Sequence, residues 1–158
     1  MELKKILNGI ENYKSKGDLE IDISSIEDNS KEVKPGSLFI AVSGYDFDGH
    51  NFVQEAIANG AVAVILDVNA NLKGIKLNSE ITVILVENSR IALAIAACNF
   101  YGNSSKKFTL IGVTGTKGKT TTTYMIKSIL EKMGKKVGLI GTIANYIGDN
   151  CLGESTRT

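Results

Sequence analysis

Apolar residues follow two rhythms along this chain. Leu38–Val42 and Ala61–Leu66 are continuous apolar runs of strand length, and Ile81–Val86 is another broken only by Thr82. Such runs suit strands covered on both faces. The segments between them repeat at helical spacing. Asn51 to Asn59 puts Phe52, Ala56 and Ile57 on one face and is closed by Gly60. Ser89 is placed to cap a helix from Arg90 to Tyr101 whose inward face is Ile91, Ala94, Ile95 and Cys98. Residues 2–15 set Leu3, Ile6, Leu7 and Ile10 on one side of a helix that Gly17-Asp18 ends. Leu19-Glu20-Ile21-Asp22-Ile23 then alternates as a half-buried strand, and residues 27–36 form a polar loop with the single proline, Pro35. Buried strands alternating with helices predict an α/β fold with a mainly parallel, doubly wound sheet.

The polar stretch Gly102-Asn103-Ser104-Ser105-Lys106-Lys107 marks a boundary. We expect one domain over 1–105 and the start of a second over 106–158. In the second, an apolar run from Phe108 to Val113 reads as a strand. A helix follows with Tyr124, Met125, Ile126, Ile129 and Leu130 at helical spacing, and Gly134 stops it. Val137–Ile143 reads as the next strand, which completes one βαβ unit. A parallel sheet needs more strands than these two. The second domain is therefore expected to be incomplete, and the chain to be the N-terminal portion of a larger protein.

The chemistry concentrates between the first strand and helix of that unit. Gly112, Gly115 and Gly118 interrupt the run, and Lys119 and four threonines follow. Strand, glycine loop and helix start make a phosphate cradle. Backbone N–H groups point inward, the helix N-terminus adds partial positive charge, and a lysine reaches the terminal phosphates. Thr120 stands where a Walker-type loop holds Mg²⁺. The strict spacing wants glycine six residues before the lysine, and Val113 stands there. Lys117 and Lys119 in one loop repel each other unless an anion lies between them.

Composition narrows the picture only a little. The 158 residues carry a net charge of +1, which gives no electrostatic case for nucleic acid or an anionic membrane surface. No apolar stretch reaches the roughly 18 residues of a membrane span, and Met-Glu-Leu-Lys-Lys precedes no signal-peptide core. Cys98 and Cys151 are far apart and lack ligand-spaced partners, so they read as a buried small residue and a loop thiol of a cytoplasmic protein. The lone histidine, His50, reads as a helix-start residue bonding the loop backbone rather than a catalytic base. Asp46 and Asp48 read as turn and capping residues. Tyr45 and Phe47 could stack on a base or fill the core.

Gly112-Val-Thr-Gly115-Thr-Lys-Gly118-Lys119-Thr-Thr resembles the ATP loop of the Mur ligases, which share the same offset from the strict pattern. Folylpolyglutamate and cyanophycin synthetases carry a similar loop. Lys31 to Ala41 with Pro35-Gly36, then Gly44 and Asp48-Gly49-His50-Asn51-Phe52, resembles the N-terminal domain of the MurE and MurF branches. Gly138-Leu139-Ile140-Gly141-Thr142 and the ending Thr156-Arg157-Thr158 are more like the MurE type. The resemblance covers nearly the whole chain and the first third of such an enzyme.

That resemblance implies an ATP-dependent ligase adding the third amino acid, meso-diaminopimelate or lysine, to UDP-N-acetylmuramoyl-L-alanyl-D-glutamate in peptidoglycan synthesis. It implies that Ser30 contacts the uridine part, that Gly44, Tyr45, Asp46 and Phe47 line the uracil pocket, and that Thr158 lies near the muramoyl peptide. It implies ATP phosphates held by Gly115, Thr116, Lys117, Gly118, Lys119, Thr120 and Thr121, with Lys119 catalytic and Thr120 on Mg²⁺. The family's Asp-Ser-Arg is Asn29-Ser30-Lys31 here, and lysine does not reproduce the arginine fork. The chain alone is not expected to ligate. An exposed edge of the cut-short second domain could drive self-association. The alternatives are a small P-loop NTPase or kinase, or a uridine-nucleotide-binding module. The first of these wants an acid after a second apolar strand, where Ala144-Asn145-Tyr146 stands.

Overall fold

The computed structural model describes residues 1–44, 48–70, 75 and 79–154. The chain divides into two compact units, Met1–Thr109 and Leu110–Thr158.

The first unit is built on a five-stranded sheet. Its strands are β1 (Lys14–Lys16), β2 (Ser25–Glu27), β3 (Ser37–Ile40), β4 (Ala61–Asp67) and β5 (Thr82–Val86), in the order β1-β5-β4-β3-β2. β2 to β5 are parallel, and β1 pairs antiparallel with β5 at one edge. The continuous apolar runs have the expected cause: alternate residues enter different cores. Leu38, Ile40, Ala63, Ile65, Ile84 and Val86 face one core, with Ala92 and Ala96 of helix α3 (Ser89–Phe100) and Leu3 and Ile6 of α1 (Leu3–Ile6). Phe39, Ala41, Val64, Leu66 and Val83 face the other, with Val53 and Ala56 of α2 (Val53–Ala58). A sheet covered on both faces has no room for the alternating polar residues of a half-exposed strand.

Several expectations need correction. The helix over 2–15 is a single turn, α1. The chain bends at Gly9 (φ +86°) and Asn12 (φ +53°), a left-handed geometry that a continuous helix does not contain. Residues 19–23 do not form a strand. Leu3 and Lys4 donate to the carbonyls of Ile21 and Leu19, and Ile23 donates to that of Met1, so the segment pairs with the N-terminal turn instead. α3 buries a face one residue round from the expected one. Ala92 and Ala96 are in the core, while Ile91 is 59% exposed and Cys98 is also exposed. The cap of α3 is Asn88, whose side chain accepts from the Ile91 N–H. Ser89 is the first helical residue.

In the second unit, helix α4 (Lys119–Lys132) ends as expected. Gly134 is left-handed (φ +75°), and Lys135 and Gly134 donate to the carbonyls of Leu130 and Glu131. The run 108–113 is not a strand. Phe108, Leu110 and Ile111 are exposed, because no strand among the described residues lies beside it to take its backbone groups. The expected strand 137–143 shrinks to β6 (Gly138–Leu139). β6, β7 (Ala144–Ile147) and β8 (Asn150–Glu154) form a three-stranded antiparallel sheet, so the described residues contain no parallel βαβ unit here. Tyr124 of α4 meets Tyr146 edge-on at 6.0 Å, and the Lys127 ammonium lies 5.7 Å from the Tyr146 ring.

Candidate functional site

The glycine loop of the second unit leads into α4 through two glycines of positive φ. Gly115 (φ +150°) and Gly118 (φ +79°) take backbone angles that side chains disfavour. Nothing crowds the Cβ position of Gly118 within 4 Å, so conformation rather than space calls for glycine there. Gly118 is the N-cap of α4 and brings no capping side chain. The first intrahelical bond runs from the Thr122 N–H to the Gly118 carbonyl, at 2.9 Å. The N–H groups of Lys119, Thr120 and Thr121 therefore have no partner within the helix, and the positive end of a 14-residue helix stands behind them. Lys119 folds back across the loop, and its Nζ donates to the Gly115 carbonyl at 2.6 Å. Its ammonium thus lies over the loop it would serve. The Thr120 hydroxyl lies 3.4 Å from that of Thr142, and Thr123 Oγ1 donates to the Thr120 carbonyl. A groove of about 450 Å³ along α4 is lined by Thr120, Thr121, Tyr124, Met125, Ser128 and Ile143. Thr116 and Lys117 lie in the bend between the two glycines.

In the first unit, the carboxyl ends of β3, β4 and β5 open on a polar cavity of about 410 Å³. This end of a parallel sheet is where α/β folds receive ligands. Ser43, Asp48, His50, Asp67, Asn88 and Arg90 are among its lining residues. His50 is only 2% exposed, and both ring nitrogens are used. The Asp67 N–H donates to Nε2 at 3.0 Å, which makes Nε2 the acceptor and leaves the proton on Nδ1. Nδ1–H donates to Asp48 Oδ1 at 2.6 Å. The same oxygen accepts from the His50 N–H and from Ser43 Oγ. Partial burial works against the Asp48 charge, but the bonds from His50 and Ser43 outweigh it and hold the carboxyl below its ordinary value. Asp67 closes the chain of contacts: its carboxylate accepts from Ser89 N–H at 2.6 Å and from Ser89 Oγ at 2.9 Å. Arg90 Nη2 donates to the Ser43 carbonyl at 2.7 Å.

The capping reading of Asp48 and the backbone-bonding reading of His50 match this geometry. Ser30 is buried at the start of a 3-10 turn after β2. Its hydroxyl donates to Glu55 Oε2 at 2.5 Å, and its carbonyl accepts from Asn59 Nδ2. Gly44 is described; Tyr45, Asp46, Phe47 and Thr158 lie outside the described residues. Sequence reasoning passed over Asp67 and Glu55, and read Ser89 and Arg90 only as the start of a helix. The one signal for Asp67 was an acid ending the apolar run Ala61–Leu66 at the ligand-facing end of a strand. Among the described residues, no group of three His, Cys, Asp or Glu side chains is placed to hold a metal, and no helix is long and apolar enough to cross a membrane. β7 begins Ala144-Asn145-Tyr146, with no acid where a complete P-loop hydrolase would need one.

Residues 22–101 match the family model described as the catalytic domain of the Mur ligase family, and residues 113–158 match the Mur ligase middle domain. The chain belongs to the Mur ligase family. The UDP-N-acetylmuramoyl-L-alanyl-D-glutamate–2,6-diaminopimelate ligase of Clostridium tetani is 50% identical over 94% of this chain and 30% of its own length. The enzyme of the same name from Caldanaerobacter subterraneus is 48% identical over the whole chain and 32% of its own length. The chain thus spans about a third of these relatives. Among solved structures, MurF from Acinetobacter baumannii superposes with a TM-score of 0.63 at 28% identity, over 84% of this chain and 28% of that one. The MurF ligase of Thermotoga maritima in complex with ADP does so at 0.52 and 40% identity, over 73% and 24%. A UDP-N-acetylmuramoyl-L-alanyl-D-glutamate–2,6-diaminopimelate ligase shares the fold at 0.70 and 24% identity, over 96% and 29%. Nothing in these likenesses supports the self-association expected of the second part.

Proposed function

We propose that this Mur ligase chain is the substrate- and ATP-gathering part of a cytoplasmic MurE-type ligase. Its reaction joins 2,6-diaminopimelate to UDP-N-acetylmuramoyl-L-alanyl-D-glutamate at the expense of ATP. Residues 1–105 hold the UDP end of the nucleotide-sugar, and residues 106–158 supply the phosphate loop. The observation that carries the reading is the loop itself: two glycines in left-handed geometry, an uncapped helix start, and the Lys119 ammonium over the cradle. The names of the relatives supply the substrate.

The loop fits a nucleoside triphosphate. The N–H groups of Lys119, Thr120 and Thr121, with those of the bend from Gly115 to Gly118, would offer hydrogen-bond donors to the phosphates. Lys119 leaves its internal carbonyl partner and places its charge where negative charge grows on the γ-phosphate oxygens. Thr120 offers its hydroxyl to Mg²⁺. Bound ATP would supply the phosphoryl group that activates the substrate carboxylate, and the incoming amine would then attack the carboxyl carbon and displace phosphate. Ser30 and the 44–47 loop orient the uridine, and Thr158 lies toward the muramoyl peptide. The groups that select the amino acid belong to the two-thirds of the relatives that this chain does not span. The chain alone therefore binds without ligating.

Calorimetric titration tests this. The chain should take up UDP-N-acetylmuramoyl-L-alanyl-D-glutamate and, in a separate titration, ATP–Mg²⁺. ATP uptake with no heat from the nucleotide-sugar at millimolar concentration would overturn the assignment of residues 1–105.

A further inference from the structure

Helix α4 carries apolar side chains on more of its surface than the described residues cover. None of its residues is buried, whereas α3 buries Ser89, Ala92 and Ala96 in the first unit. One side of α4 meets the three-stranded sheet, where Tyr124 and Lys127 both lie against Tyr146. Another side carries Met125 and Ile129, with Met133 just past the helix end. These three stand four residues apart and so share one stripe. They are 60%, 59% and 66% exposed. Met125 also forms a wall of the 450 Å³ groove, with Ile143 opposite on the chain that follows β6. Ile143 is itself exposed, and so are Ile140, Leu110 and Ile111. Single exposed apolar residues are ordinary, but a groove continued by a stripe of them marks a surface that meets another chain segment.

We propose that the groove along α4 and the Met125–Ile129–Met133 stripe form a docking surface for the part of the ligase that lies outside the stretch shared with this chain. The inference rests on the reading of the chain as part of a MurE-type ligase. Two observations choose this occupant over a second copy of the chain. The first is placement. The surface lies within residues 113–158, which match the Mur ligase middle domain, and about two-thirds of each relative's length lies outside the shared stretch. The second is the run Leu110-Ile111-Gly112-Val113. Like β3 and β4 it is apolar at successive positions, the pattern of a strand with neighbours on both sides and cover on both faces. No described strand pairs with it. A second copy would bring one more such run, which can pair with only one of its edges. A segment of different sequence can flank both edges and cover α4 as well.

The test produces the full 158-residue chain together with the remaining two-thirds of the Clostridium tetani ligase as a separate chain. Analytical ultracentrifugation should show a one-to-one complex. In that complex peroxide should oxidise Met125 and Met133 several-fold more slowly than in the 158-residue chain alone, with free methionine as the reference. Ile129→Glu and Met125→Glu each put a charge on a stripe that is already in water, so they should leave the urea midpoint of the 158-residue chain unchanged. Each should raise the dissociation constant of the complex at least about tenfold. A complex equally tight in both variants overturns the assignment of this surface, and so does undiminished oxidation of both methionines within the complex. A 158-residue chain that dimerises alone, and that the two variants return to monomer, gives the surface to a second copy and also overturns it. If the unmodified chain forms no complex, docking fails. Calorimetric uptake of UDP-N-acetylmuramoyl-L-alanyl-D-glutamate by the same chain then tells whether the MurE-type reading stands without it or falls too.

Discussion

Asp67→Ala should be the most damaging single truncation on the ligand-facing end of the first unit. The carboxylate takes two bonds from Ser89, one from the backbone N–H at 2.6 Å and one from the hydroxyl at 2.9 Å. Ser89 is 2% exposed, so water does not replace what is lost. A buried donor left without its partner costs about 1–3 kcal/mol. Ser89 is also the first residue of α3, and a carboxylate at a helix start contributes a further 0.3–1 kcal/mol or so through the helix dipole. Together these put the loss at about 1.3–4 kcal/mol. For a unit of this size that is a fall of roughly 5–16 °C in Tm. The chain has no tryptophan, so unfolding is best followed in urea by far-ultraviolet circular dichroism. Asp67→Asn keeps one acceptor and loses the charge, and should cost about half as much. Pairing Asp67→Ala with Ser89→Ala in a double-mutant cycle should return a coupling energy of about 1 kcal/mol or more. A loss below about 0.5 kcal/mol for Asp67→Ala, or a coupling near zero, would refute the reasoning.

Three further predictions concern other parts of the chain. Lys119→Ala should weaken ATP–Mg²⁺ binding at least about tenfold by calorimetry, with little change in Tm, since the side chain is exposed and makes one bond within its own loop. In α3, Ile91→Ser should shift stability by less than about 0.5 kcal/mol, whereas Ala96→Leu should cost about 1–3 kcal/mol by overpacking, as urea unfolding can measure. Asp48 titrates below its ordinary 3.8 in the folded chain, so on acidification the unfolded chain takes up that proton first. Its contribution is whole above the unfolded value and is lost as pH falls through the lower folded one. The stability gap between the unmodified chain and Asp48→Asn should therefore be constant near neutrality and close as pH falls through 3.8 and below.

The parts that sequence revealed are those where burial is written in the local pattern. β3, β4 and β5 read correctly because a strand covered on both faces is apolar at nearly every position. α4 read because its glycine stop, Gly134, is local; α2 read at its stop, Gly60, and at Ala56, but it begins at Val53 after a 3-10 turn, and Phe52, expected inward, is exposed. β1 and β2 did not read: Lys-Ser-Lys is fully exposed and Ser-Ile-Glu half-buried, and edge strands are made by a neighbour's backbone rather than their own side chains. The alternation of Leu19, Ile21 and Ile23 was real, but it packs against the N-terminal turn. In α3 the larger Ile91 suggested the inner face, whereas Ala92 and Ala96 are the α3 residues buried in the core, with Leu93 and Phe100 packed against it. The phosphate loop was legible because its chemistry is contiguous. The Asp48–His50–Asp67–Ser89 chain was legible only in pieces, since its last link joins residues 22 apart that meet only once β4 and α3 are in place.

The five-stranded sheet ends on one side with a three-residue strand bearing two lysines and on the other with three residues of Ser-Ile-Glu. Short, charged margins offer a foreign strand almost no length to zip against, and a second lysine pair set alongside the first would repel it. The strongly β-forming segments of this unit, Ala61–Asp67 and Thr82–Val86, are locked inside those margins. Fibre-type growth must therefore begin from unfolded chains. At fixed protein concentration, its rate in destabilised variants should follow the unfolded fraction, whichever residue was changed.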